Sequence, residues 1–363
     1  MNFNPVPTQT AYTRFIPKKY TSGDENYPKK FMEKLQSTPL MVLNVPIEYG
    51  GEGLGINGGT SKILRVLQKL GAYDLSVGRI YEGHINALSL INQFGTEAQK
   101  RDYFSQAKNG TFFGIWNSEI PAEALQINKT KEGYTLKGAK IFCSGANHIL
   151  RPIVTADGED GKLMLVLNLD EYGLTEDYAY WKPMGMSASV SCRFDFSEIT
   201  ITEDQILGKP SAYFANPEFV GGAIRFAAVQ LGGARAAFQA TLDHLVEYKR
   251  TDDVLQLTRI GKIKVLMETG NLWLKKAGKA FDKREKFPEE CMDIANSFRI
   301  LTREICEKTL ALCEMSVGLQ GLLKPHPLER IHRDLSVYLK QPAPDHTLLN
   351  IGKRQIELFQ NGK

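Results

Sequence analysis

The sequence predicts an α+β multidomain protein with three parts in order. These are an N-terminal helical domain (1–110), a central antiparallel β-sandwich or barrel (111–215) and a C-terminal four-helix bundle (216–363). Helical spacing in the first part, alternating strands with regular turns in the second, and long apolar stripes in the third predict this order. The chain has 363 residues, which is enough for two or three domains, each with its own core.

Two stretches carry the helical prediction for the N-terminal part. "GGTSKILRVLQKLG" (58–71) repeats its apolar residues at the spacing of an amphipathic helix. "TEAQKRDYFSQAKNG" (96–110) begins with Thr96, a favoured N-cap, and ends in Asn109-Gly110, a common helix stop. We therefore expect helices over both stretches, joined by polar or glycine-rich loops.

The central part has the pattern of apolar runs and turns that is typical of short strands. "RPIVTADGEDGKLMLVLNLD" (151–170) contains two apolar runs separated by a Gly/Asp turn. "SVSCRFDFSEITI" (189–201) alternates apolar and polar residues from Val190 to Phe196, which predicts a strand with one buried face. Regular spacing of such runs favours a small antiparallel sandwich or barrel.

Four long helices are predicted after residue 216. The first carries an apolar stripe from Ile224 to Leu245, and the others cover 256–281, 288–316 and 326–340. Gly232 and Gly233 lie inside the first helix, where each costs about 1 kcal/mol relative to alanine. We expect them to mark a close contact between helices. Apolar stripes on four consecutive helices predict an antiparallel bundle.

Composition excludes several classes of function. The formal net charge is +4, with 42% hydrophobic and 24% charged residues, and no basic cluster predicts nucleic-acid binding. No apolar run approaches the 18 residues of a membrane span, and the first residues lack the apolar core of a signal peptide. The five cysteines are odd in number and lack metal-ligand spacing. We expect buried thiols, no metal site and a cytoplasmic location.

Seven stretches in order carry a family resemblance. They are "VPIEYGGEGLG" (45–55), "GHINALSLINQFGTEAQKRDYF" (83–104), "FGIWNSE" (113–119), "LKGAKIFCSGA" (136–146), "WKPMGMSASVSCRFDFSEITITEDQILG" (181–208), "RFAAVQLGGARAAFQATLDHLVEYKR" (225–250) and "HPLERIHRDLSVY" (326–338). Each alone is weak, but together they resemble the acyl-CoA dehydrogenase family. The resemblance implies FAD between the β domain and the bundle, and a homodimer or homotetramer. It also implies α,β-dehydrogenation of an acyl thioester, carried by CoA or a carrier protein, with an electron acceptor as second partner.

The resemblance also implies flavin-binding residues. Ser144 replaces a threonine whose hydroxyl bonds the flavin N5 region, and Phe142 replaces a ring that covers the flavin. Arg250 matches an arginine that reaches the pyrophosphate across the dimer. The remaining candidates are Trp116, Asn117 and Ser118 along the flavin edge, and Gly318, Gln320 and Gly321 in the turn "VGLQG". Without the resemblance, Trp116 and Phe142 are ordinary core residues and Arg250 a helix-end cation.

Two departures from the family bear on the chemistry. The family's proton-abstracting glutamate falls at or beside Pro342 or, in other members, at Ile224, so neither position offers a base. The family's glycine-rich loop near the thioester and pyrophosphate is replaced by "EIPAEALQI" (119–127). Asp345 is the candidate displaced base, with His346 as helper, and the alternative is that Asp345 caps the following helix. Glu329 and Asp334 are expected in structural ion pairs.

Three functions remain open from the sequence. An acyl thioester dehydrogenase follows from the preserved scaffold. A flavin-dependent monooxygenase or oxidase on the same fold needs no α-proton base, so it fits the missing glutamates. A non-catalytic homologue fits both departures.

Overall fold

Four helices form the N-terminal part of the computed structural model, which describes residues 12–17, 20, 26–131, 133–341 and 343–362. They are α1 (Lys29–Gln36), α2 (Thr60–Tyr73), α3 (Leu75–Phe94) and α4 (Glu97–Lys108). Thr96 starts α4 as predicted. Its hydroxyl accepts a hydrogen bond from the Gln99 N–H, and the Gln99 side-chain oxygen accepts one from the Thr96 N–H. The two bonds satisfy N–H groups that are otherwise free at the start of a helix.

The central part is a mixed β structure. Its strands are β1 (Phe113–Trp116), β2 (Gln126–Lys129), β3 (Tyr134–Lys137), β4 (Ala139–Cys143), β5 (Arg151–Gly158), β6 (Gly161–Val166), β7 (Cys192–Asp195), β8 (Thr200–Ile201) and β9 (Ile206–Leu207). One sheet has the order β8-β3-β2-β5-β6-β9 with β1 also on β5, and β4 pairs with β7 separately.

The predicted three-part fold is confirmed, with one correction to the strand pairing. The two runs of 151–170 form the antiparallel β5–β6 hairpin. Both β1 and β2, however, pair with β5 in parallel, so the sheet is not wholly antiparallel. Parallel partners are joined by long connections, and local alternation contains no information about such distant pairing.

The C-terminal helices begin and end close to the predicted residues. They are α5 (Val220–Glu247), α6 (Val254–Phe281), α7 (Pro288–Val317) and α8 (Pro327–Tyr338). A further helix, α9 (Pro344–Gln360), packs on α7. The four-helix bundle is therefore confirmed, and its stripe of apolar residues on α5 is buried.

Helix α5 also packs against α2 at backbone distance. A Cβ added to Gly232 would lie 2.1 Å from the carbonyl oxygen of Gln68, and one added to Gly71 would lie 2.1 Å from the carbonyl oxygen of Val229. No real side chain tolerates such distances. The close helix contact expected at Gly232 therefore holds the N-terminal part onto the bundle.

A buried ionic cluster joins all three parts. Arg330 of α8 contacts Asp74, the N-cap of α3, at 2.9 Å and Asp334 at 3.3 Å. Asp334 also accepts a hydrogen bond of 2.5 Å from the Met186 N–H in the β part. Glu329 pairs with Arg333 at 2.7 Å. The predicted structural ion pairs of Glu329 and Asp334 are thus present.

Three further expectations concern what the chain contains. All five cysteines are buried and free. Within the described ranges, no helix is long and apolar enough to cross a membrane. The same residues contain no group of three or more His, Cys, Asp or Glu side chains placed to hold a metal ion. The cellular location expected from the thiols stays a prediction.

We expect Gly232→Ala to destabilise the protein by about 1–3 kcal/mol, because overpacking outweighs the better helix propensity of alanine. Gly261 is the matched control, since it lies in α6 with open space around it. Gly261→Ala should stabilise by about 0.5–1 kcal/mol. Urea unfolding midpoints of both variants check the pair, and equal shifts would contradict the close contact.

Candidate active site

A cavity of about 760 Å³ lies where the three parts meet. Residues from α2, α3, α5 and α8 line it, together with the ends of β1 and β4 and the loop before β7. Sites for small molecules and cofactors have this size and often lie between domains. The cavity is therefore the candidate site of chemistry.

Four of the predicted flavin residues line this cavity: Asn117, Ser118, Phe142 and Ser144. Phe142 is 49% exposed although it is a large apolar residue. Its backbone is left-handed, with φ 55°, a conformation that costs free energy for a residue other than glycine. Its ring meets Trp181 edge to face, with centroids 6.2 Å apart. Strain and exposure together indicate an aromatic wall built to cover a ligand.

Ser144 belongs to a chain of serine hydroxyls. Ser191 donates a hydrogen bond of 2.9 Å to the Ser144 hydroxyl, and Ser189 lies 2.8 Å from Ser191. Ser189 in turn donates to the carbonyl oxygen of Met186 at 2.8 Å. Ser144 accepts from Ser191, and its own proton makes only a long contact of 3.5 Å with the carbonyl oxygen of Phe142. A ligand in the cavity that accepts a shorter hydrogen bond can therefore take this proton. This is the donor expected near a flavin.

Trp116 does not line the cavity, contrary to the sequence-based expectation. Its ring is buried, stacks on Phe194 with centroids 5.2 Å apart, and donates from Nε1 to the Ser144 carbonyl oxygen at 3.1 Å. Alternation along β1 explains the difference, because its neighbours Ile115 and Asn117 face the cavity instead. Trp116 thus lies behind the cavity wall, where its hydrogen bond to the Ser144 carbonyl positions Ser144.

The remaining flavin candidates lie at the other end of α5. Arg250 donates to the carbonyl oxygen of Ser316 at 3.3 Å, beside Gly318, whose φ is 76°. Gln320 and Gly321 follow in the same turn. Arg225 lines the cavity near the start of α5, and the part of α5 from Arg225 to Glu247 spans about 33 Å. These four residues therefore do not reach the cavity of their own chain.

Sequence reasoning missed a charged cluster in the cavity. Glu82 is buried, lies 2.5 Å from Arg79 and accepts a hydrogen bond from Asn86. Asn86 Oδ1 accepts from Arg225 at 2.8 Å. Burial lowers the pKa of Arg225 to about 10, Glu82 acts in the opposite sense and Arg284 in the same sense, so the guanidinium stays charged at neutral pH. The clue was the spacing of Arg79, Glu82 and Asn86, which places all three on one face of α3.

Among the described residues, three side chains of the cavity lining have a buried oxygen atom without a hydrogen-bond partner: Tyr338 Oη, Thr60 Oγ1 and Asn44 Oδ1. Buried polar atoms are normally paired. Orphaned atoms around an aromatic wall and a weakly bonded serine proton fit a large, flat, polar ring such as a flavin together with a substrate.

Models of the acyl-CoA dehydrogenase N-terminal and C-terminal domains match residues 11–111 and 224–340, more than half of the chain together. The chain belongs to the acyl-CoA dehydrogenase family. A probable acyl-CoA dehydrogenase of Bacillus subtilis is 25% identical over 335 residues, covering 85% of this chain and 84% of that protein. The family uses a flavin, which the cavity residues fit.

Proteins named for a different activity are also similar to this chain. A dibenzothiophene monooxygenase of Rhodococcus erythropolis is 28% identical over 240 residues, covering 60% of this chain and 55% of that protein. A dibenzothiophene monooxygenase of a Paenibacillus species, solved with FMN and indole, superposes with a TM-score of 0.84 at 17% identity, covering 98% of this chain and 95% of that structure. The latter shows the fold alone.

Neither family base position offers a carboxylate. Ile224 is fully buried, and Pro342 lies outside the described residues. Asp345 is exposed in the first turn of α9 and does not line the cavity. Ala343, not Asp345, occupies the N-cap of α9, so the capping alternative is wrong. In its first-turn position Asp345 instead complements the helix dipole.

The altered family loop is held by ion pairs. Glu119 binds Lys140 and also Lys162 at 2.8 Å. Glu123 binds Arg193 at 2.7 Å. These carboxylates are committed to the fold of the β part, and none of these residues lines the cavity.

His84, in the family's histidine-containing helix, has a structural environment. Nε2 lies 2.8 Å from the Met41 carbonyl oxygen and Nδ1 accepts from the Phe113 N–H at 3.1 Å. This arrangement requires a neutral ring with its proton on Nε2. Burial lowers the pKa of His84 to about 4, with the Met41 carbonyl acting in the opposite sense.

His84 should make stability fall on mild acidification. Its folded-state pKa lies below the unfolded value of about 6.5. The stabilising contribution is therefore complete above that value and is lost as the pH falls towards 4. We expect a loss of roughly 2 kcal/mol between pH 7 and pH 5, measured by urea unfolding, which His84→Gln removes. Burial also lowers the pKa of His148, His244 and His326, so part of the slope remains in the variant. An undiminished slope in His84→Gln would refute the prediction.

Proposed function

We propose that this chain is a flavin-dependent monooxygenase or oxidase that acts on a small organic molecule. The observation that carries the proposal is that the carboxylates of the cavity are paired with arginines. Among the described residues, the cavity is lined by two, Glu82 and Glu218. Each is held by an arginine, Glu82 by Arg79 at 2.5 Å and Glu218 by Arg284 at 3.2 Å. A base for α-proton abstraction must be free to accept a proton.

The cavity residues have defined roles in this proposal. When bound, a reduced flavin would supply the electrons that activate molecular oxygen. Ser144 would hold the edge of the ring by a hydrogen bond, and the serine chain behind it fixes the Ser144 hydroxyl. Phe142 and Trp181 would cover the ring and exclude water, which would strengthen electrostatic interactions inside the site. Asn117 and Ser118 line the same wall.

Dehydrogenation of an acyl thioester is the second candidate. The Bacillus relative favours it, and so does the presence of one buried carboxylate, Glu82, in the cavity. For Glu82 to act as the base, its contact with Arg79 has to break. That requirement ranks this candidate second.

The proposed cofactor is FAD, held between two copies of the chain. Arg250, Gly318, Gln320 and Gly321 then belong to a cavity in a partner protomer. Exposed apolar side chains near this turn support a homo-oligomer, because large exposed apolar areas mark interfaces. They are Val254, Leu255, Leu257, Met315, Leu319 and Leu323.

Oxygen reactivity distinguishes the candidate functions. Flavin-loaded protein, reduced without oxygen and then mixed with it, should reoxidise rapidly and release peroxide or oxygenate a substrate. A panel of acyl-CoA and carrier-bound thioesters should leave the oxidised flavin unbleached. Slow reoxidation together with bleaching by a thioester would establish the dehydrogenase instead. Protein that binds no flavin would refute both.

The role of Arg250 can be tested by cofactor binding. Arg250→Gln should weaken FAD binding about tenfold through loss of a charge-assisted contact, and leave riboflavin binding unchanged because riboflavin has no pyrophosphate. Arg259→Gln is the control, since Arg259 likewise donates to a carbonyl oxygen at the end of α7, that of Met315. Light scattering on the same samples must give an unchanged mass. Equal losses for FAD and riboflavin would contradict the assignment.

A further inference from the structure

Arg225 is a buried cation that has no carboxylate partner in the part of the chain that the structure describes. The residue is 7% exposed and lines the cavity. Among the described residues, no carboxylate oxygen lies within 4 Å of its guanidinium, and its side-chain hydrogen bond goes to the neutral Asn86 at 2.8 Å. Its other neighbour is the ring of Phe281, with the centroid 5.5 Å away. Buried charges in proteins are normally paired.

The nearby charges compensate it only in part, through Glu82 at longer range. Glu82 is taken by Arg79 and Glu218 by Arg284, so both acidic residues of the lining already neutralise other arginines. Lys340 also belongs to the lining but is exposed, so solvent screens its charge. The cavity is therefore left with an excess positive charge, and Arg225 is its most deeply buried source.

A second observation points to a ligand at the same cavity. Tyr338 is 5% exposed and its hydroxyl has no hydrogen-bond partner. This hydroxyl and Arg225 both lie within electrostatic range of Glu82. An unsatisfied hydroxyl and an unpaired guanidinium each lower the stability of the ligand-free protein. A ligand that accepts hydrogen bonds and carries negative charge removes both costs.

We propose that Arg225, assisted by the Tyr338 hydroxyl, binds the carboxylate of an organic-acid substrate. The planar guanidinium presents a fork of donors that matches a carboxylate. Leu54, Ile63 and Leu90 line the same cavity and provide contacts for an apolar body. The inference rests on the proposed function for its assumption that the bound acid is the substrate.

The phosphate of a cofactor is the competing source of negative charge. A phosphate monoester carries about −1.5 to −2 charges at neutral pH, whereas a carboxylate carries one. Arg225 is one unpaired cation, and the neighbouring arginines Arg79 and Arg284 are already paired. The charge balance therefore favours the carboxylate.

The test uses flavin-loaded protein and two probes of equal shape, benzoate and neutral benzamide. Benzoate should perturb the visible absorption of the flavin and raise the melting temperature, and benzamide should do neither. Arg225→Gln should weaken benzoate binding about 10- to 100-fold. Arg225→Lys should retain part of the affinity because the charge remains. Arg235→Gln is the control, since Arg235 is exposed on the same helix.

Tyr338→Phe keeps the proposal testable if the arginine variants fold poorly. It should weaken benzoate binding about three- to tenfold without lowering the melting temperature of the benzoate-free protein, because the hydroxyl has no partner there. Benzoate without effect on the wild type, or undiminished benzoate binding in Arg225→Gln, overturns the proposal. So does a loss of FMN affinity without loss of riboflavin affinity in that variant, which assigns Arg225 to the cofactor phosphate.

Binding is measured without turnover, so the two proposals fail separately. Arg225-dependent benzoate binding in a protein that reacts slowly with oxygen refutes the monooxygenase or oxidase and leaves the acid site. Rapid reaction with oxygen in a protein that does not bind benzoate refutes the acid site and leaves the monooxygenase or oxidase.

Discussion

The contact of Arg330 with Asp74 and Asp334 is the constraint on which the cavity depends. It fixes the start of α3, and Asp334 fixes the Met186 N–H of the β part. From there the Met186 carbonyl accepts from Ser189, and the serine chain ends at Ser144 in the cavity. A buried ion cluster costs desolvation free energy. Here it defines the relative positions of three parts whose side chains must meet at one site.

The close approach of α2 and α5 supplies the second constraint. With glycine at 71 and 232 the two backbones touch, and the start of α5 then lies against the cavity with Arg225 on its wall. Dispersion and burial stabilise this contact, whereas the ionic cluster sets its direction. The position of α5 thus comes from the glycine contact, and its orientation comes from the ionic cluster.

The sequence was informative where the physics is local. Helix bounds and the Thr96 cap follow from spacing and capping within a few residues. The parallel pairing of β1 with β5 does not follow from local spacing, because it joins segments almost 40 residues apart. The sequence interpretation placed Trp116 at the cavity, whereas strand alternation places its neighbours Ile115 and Asn117 there. Glu82 and Arg225 were missed because charged helical residues usually lie at the surface, and only packing shows that these are buried.

The charge pattern of the cavity narrows the chemistry more than the fold does. One scaffold serves both dehydrogenases and monooxygenases, so the overall likeness to either decides nothing. A thioester dehydrogenase needs a free carboxylate beside the flavin, whereas this cavity ties its carboxylates to Arg79 and Arg284 and leaves Arg225 unpaired. An excess cation lowers the proton affinity of nearby carboxylates, which makes them weaker bases, and attracts an acid. The same feature therefore argues against proton abstraction by the protein and for recognition of an anionic substrate.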